Sequence, residues 1–80
     1  MIKDTKLKKK KKKAVNYELN NKTEEAIAIY ESILEKHSYD IEVLRSLAGL
    51  YMGKLDYRKA VDLFERILLV IDDDVDGMVE

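Results

Sequence analysis

Displaced against itself by 34 residues, the chain repeats without a gap. Ala14 falls on Ala48, Tyr17 on Tyr51, Ala26 on Ala60, Ile27 on Val61, Tyr30 on Phe64, Ile33 on Ile67 and Leu34 on Leu68, while Asp40 meets Asp74. The coincidences gather on the apolar and small positions, which are the ones that decide packing. A fixed period of this length predicts two copies of one supersecondary unit, neither of which can bury its apolar face well alone.

The hydrophobic spacing inside each copy is that of helices. In DIEVLRSLAGLYMG, Leu44, Leu47, Ala48 and Tyr51 recur three and four residues apart and form one stripe. Asp40 stands where it can cap that helix. GKLD makes the turn, and Asp56 can cap YRKAVDLFERILLVI, whose expected stripe is Ala60, Phe64, Ile67 and Ile71. In the first copy, NNKT separates KKAVNYEL from EEAIAIYESILEKH. Ala14 with Ala26, and Ala48 with Ala60, put small residues where two antiparallel helices approach closely. No proline interrupts any of these segments, and 39% of the residues are charged, mostly straight-chain helix formers.

This pattern resembles the tetratricopeptide repeat. LRSLAGLYMGKLDYRKAVDLFERIL carries the likeness best, and AVNYELNNKTEEAIAIYESIL carries it through Ala14, Tyr17, Ala26, Tyr30 and Ile33. The resemblance implies an all-α fold of two helix-turn-helix hairpins, four antiparallel helices that start an α-solenoid. It divides the chain into a basic flexible tail at 1–6, a first repeat at 7–40, a second at 41–74, and an acidic tail or the truncated start of a third repeat at 75–80. Three departures stand out. Ser38 and Asp72 replace the proline usual after the second helix, Asn21 and Leu55 replace the glycine usual in the turn, and Lys10 and Lys13 stand where the second copy has Leu44 and Leu47.

Charge is unevenly distributed. Residues 1–13 hold eight lysines and one aspartate, and residues 72–80 hold five acids. Lys10 and Lys13 take core-facing register positions, where an unpaired ammonium is costly, so their stems should snorkel and keep the charge in water. Like charges four apart and cations near a helix N-terminus both disfavour the start of this helix. It is therefore expected to fray before about Lys12 and to pack from Ala14 onward. The run Lys8–Lys13 reads as a solvated tail, as a contact surface for an acidic protein segment, or as a basic arm for nucleic acid or anionic membrane. No aromatic or arginine sits among these lysines, which weighs against base stacking and bidentate phosphate recognition.

The resemblance also implies a peptide-binding groove lined by the first helices of successive repeats. On this chain that groove carries Lys8, Lys11, Lys12, Val15 and Leu19, then Arg45, Ser46, Gly49 and Met52. Chaperone-binding relatives clamp a carboxylate with a lysine and an asparagine one turn apart. Lys11 matches the lysine, but Val15 stands at the asparagine position. The apolar run Ile67–Ile71 is too continuous for one neighbour to cover, and stacked repeats usually need three units and a polar cap. Leu63, Ile67, Leu69, Val70 and Ile71 are accordingly expected to form a self-association face, the chain being either a fragment or part of a homo-oligomer.

Catalytic chemistry has no candidates. Cysteine is absent, His37 is the single histidine, and no glycine-rich phosphate loop occurs. DDDVDG fits the opening of a calcium loop, but the bidentate glutamate would fall beyond Glu80. No metal and no cofactor is expected. No window approaches the length of a membrane span, and nothing resembles a signal peptide, so a cytoplasmic setting is expected. The reading is a non-enzymatic interaction module for a protein or peptide partner, self-associating, with a basic-arm polyanion binder as its alternative.

Overall fold

The computed structural model describes the backbone of residues 2–79 and the side chains of residues 6–71. Four helices follow one another: α1 (Ile2–Leu19), α2 (Thr23–Leu34), α3 (Ile41–Gly53) and α4 (Tyr57–Val79). The described residues contain no strand. The chain divides between Ser38 and Tyr39 into two units, in which α1 packs on α2 and α3 packs on α4. Each unit is an α-helical hairpin.

The two hairpin turns are built alike, although their sequences differ. At the end of α1, the Lys22 amide donates to the Tyr17 carbonyl at 2.8 Å and the Asn21 amide to that of Glu18 at 3.0 Å. At the end of α3, the Asp56 amide donates to Tyr51 at 2.9 Å and the Leu55 amide to Met52 at 3.0 Å. This crossed pair of bonds satisfies the last carbonyls of a helix and requires one left-handed residue. Asn21 at φ 61° and Leu55 at φ 65° supply it, and they stand at the same register position.

Helix starts are less uniform. Asp40 caps α3 by accepting from the Val43 amide at 3.2 Å, and Asp56 accepts from the Lys59 amide at 3.5 Å. The N-cap of α2 is Lys22, which makes no side-chain cap bond; Glu24 and Glu25 in its first turn complement the helix dipole instead.

All four paired alanines are fully buried, which allows the close helix approach their spacing implies. Among the described residues, the other buried apolar ones are Ile27, Tyr30, Ile33 and Leu34 in the first unit and Val43, Leu44, Leu47, Tyr51, Leu63 and Ile67 in the second. The Tyr30 hydroxyl donates to the Glu18 carboxylate, tying α2 to α1. In the second hairpin, the Lys59 ammonium lies 5.2 Å from the centre of the Tyr51 ring, joining the first turn of α4 to α3.

Both chain ends are helical over their described residues. At the N-terminal end, α1 is helical from Ile2. Lysine is a good helix former, and this offsets the like-charge repulsion along the run. The calcium-loop reading needs a sharp turn at Gly77, but α4 continues through that residue as helix to Val79. The segment 75–80 is helical over its described residues, with no proline after Asp56 to end α4 sooner.

Candidate functional site

The surface features belong to the two hairpins separately. On the first, Lys10 and Lys13 are exposed, whereas their register partners Leu44 and Leu47 are buried. The lysine stems therefore carry their charges out to water, as snorkelling requires. Lys8, Lys12, Val15 and Leu19 fall four, three and four residues apart and form one exposed stripe on α1, with Lys11 half-buried beside it. On the second hairpin, Arg45, Gly49 and Met52 form an exposed stripe on α3, with Ser46 half-buried. Each part of the expected groove is thus an exposed helix face within its own unit.

The self-association residues divide. Leu69 and Ile71 are exposed, at 56% and 38%, and Val70 is half-buried. Leu63 and Ile67 are 6% and 7% exposed and belong to the core of their own hairpin. The reason lies in the pattern of α4, which carries two apolar stripes side by side. Ala60, Leu63, Ile67 and Val70 form the first, at spacings of three, four and three residues. Val61, Phe64, Leu68 and Ile71 form the second at the same spacings. One neighbouring helix covers one stripe, so the first is turned inward and the second stays open.

Phe64 is consequently not a core residue, although its spacing assigned it to the core stripe. It is 42% exposed, while its register partner Tyr30 is 2% exposed. Tyr30 has the Glu18 carboxylate to bond; opposite Phe64, the register position of Glu18 is held by Met52, itself an exposed residue. The same contrast holds at two more positions of the stripe. Ile27 and Leu34 are buried in the first hairpin, while Val61 and Leu68 are 52% and 56% exposed in the second.

This open stripe is the surface that sequence reasoning only partly identified. Its signal was the second set of three- and four-residue spacings immediately beside the first. Among the described residues, no group of three or more histidine or acidic side chains is placed to hold a metal ion. No helix there is long and apolar enough to cross a membrane. No family model, curated protein or solved structure matches the chain.

Proposed function

We propose that the chain is a non-enzymatic protein–protein interaction module of tetratricopeptide type, which self-associates through the open apolar stripe of α4. One observation carries this reading. Val61, Phe64, Leu68 and Ile71 lie in line on one helix and are all exposed, and Leu69 adjoins them. Scattered exposed apolar residues are ordinary, but a continuous row is the mark of a contact surface. The register partners of the first three, Ile27, Tyr30 and Leu34, are buried, so these three places of the repeat are ones that the first copy keeps covered.

A second copy is the occupant that the charge distribution favours. Residues 1–13 carry a net +7 and residues 72–80 a net −5, so two copies attract each other head to tail. Sedimentation velocity over a concentration series tests the reading. The wild-type chain should sediment above its monomer mass as concentration rises. Replacing Leu68 and Leu69 with serine should return it to the monomer with an unchanged helical circular dichroism spectrum. A wild-type chain that stays monomeric at high micromolar concentration ends this reading.

The exposure of Lys8, Lys9, Lys10, Lys12 and Lys13 supports a second reading, a basic arm for nucleic acid or anionic lipid. Binding to a polyanion that falls steeply with salt would favour it. Unaltered binding after replacing these lysines with glutamine would exclude it.

A further inference from the structure

A groove of about 480 Å³ opens on the first hairpin, between the early turns of α1 and the end of α2. Its described lining is Lys6, Leu7, Lys10, Ser32, Ile33, Lys36 and His37. Three lysines and a histidine surround an apolar floor of Leu7 and Ile33, and none of the seven carries a carboxylate.

The repeat register explains why this hollow exists. At the corresponding places the second hairpin has Leu44 for Lys10, Val70 for Lys36 and Ile71 for His37. Leu44 is fully buried and fills its place, whereas Lys10 is exposed and leaves its place open. The substitution therefore does two things at once: it removes an apolar plug, and it rings the vacated space with cations.

A chemically matched segment stands elsewhere in the same chain. Asp72, Asp73, Asp74 and Asp76 follow directly on the apolar run Ile67–Ile71, and α4 continues through them as helix. A helix that seats its apolar row on another copy brings these acids along with it. The groove offers what such a segment needs, an apolar floor within a basic rim, and its volume admits side chains from one turn rather than a whole helix.

We propose that the basic groove between α1 and α2 receives the acidic segment Asp72–Asp76 of a second copy. The contact rests on the self-association reading given above and assigns it a polarity: first hairpin of one copy to α4 of the next.

Two charge-reversed variants test it by sedimentation velocity. One carries Lys6→Glu, Lys10→Glu and Lys36→Glu; the other carries Asp72→Lys, Asp73→Lys and Asp74→Lys. Each alone should associate about tenfold or more weakly than wild type, the effect of three solvent-exposed charge pairs lost together. Mixed in equal amounts, they should associate again, because each groove then meets a segment of opposite charge. Lys10→Leu supplies an arm that does not depend on folding after multiple reversals. It should plug the groove as Leu44 does, raise thermal stability, and weaken association to a similar degree.

Failure of the mixture to associate, when each variant retains its helical spectrum, overturns the groove contact. Wild-type-like association of each reversed variant alone also overturns it; combined with loss of association in the serine variant at Leu68 and Leu69, that result leaves the apolar contact standing and frees the groove for an acidic partner other than this chain. A monomeric wild type removes both readings together.

Discussion

At position 55 the chain places a leucine in a backbone conformation that L-residues avoid. Leu55 has φ 65°, and its side chain is exposed, so packing does not compensate for the strain. A left-handed non-glycine residue costs roughly 1–2 kcal/mol, of which glycine recovers most after its own entropy is counted. Leu55→Gly should therefore stabilise the second hairpin by about 1 kcal/mol in urea or thermal unfolding. Asn21→Gly should change stability by only a few tenths of a kcal/mol, because asparagine tolerates the conformation. A smaller gain from Leu55→Gly than from Asn21→Gly would contradict this account of the turns. The caps at Asp40 and Asp56 were legible because capping is decided within four residues. The strained turn was legible only through the repeat: leucine argues against such a conformation, and the alignment of Leu55 with Asn21 is what places it there.

Among the elements, α3 and α4 show how far periodicity reaches. The stripe Leu44, Leu47, Ala48 and Tyr51 is buried as its spacing predicts. Gly49 lies inside the same helix on its exposed side, and a Cβ built there meets nothing within 4 Å. Gly49→Ala should accordingly stabilise the protein by about 0.5–1 kcal/mol, read as a rise in melting temperature. If the mutation leaves stability raised but weakens partner binding, the α3 face is one that a partner's backbone approaches closely. The second apolar stripe of α4 was harder to read. Periodicity reports that a face is apolar, not that a neighbour exists to cover it, so spacing alone puts Phe64 in the core stripe with Ala60 and Ile67, although it is exposed. In α1 two local effects oppose each other: like-charge repulsion argues for fraying, while the intrinsic helix preference of lysine and the half-buried Leu7 favour the helix that begins at Ile2.

Across the molecule, two hairpins share one backbone plan and differ in what they leave uncovered. The plan itself was legible, because the 34-residue register fixes which residues must be small and which apolar. The groove at Lys10 and Lys36 was not, since a void is a property of packing; the register nonetheless held its signal in the replacement of Leu44 and Val70 by lysine. If copies associate in the folded state, mass action should raise the melting temperature with protein concentration. That rise should vanish in the variant with serine at Leu68 and Leu69, and calorimetry at two concentrations would decide it. The inequality between the hairpins has one more consequence. A contact between unlike patches leaves one of each kind unused on every pair that forms, and unless the rotation from copy to copy closes a ring, growth has no natural stopping point. Assembly length would then follow concentration and salt, and a copy altered at only one of its two patches would act as a terminator of the growing polymer.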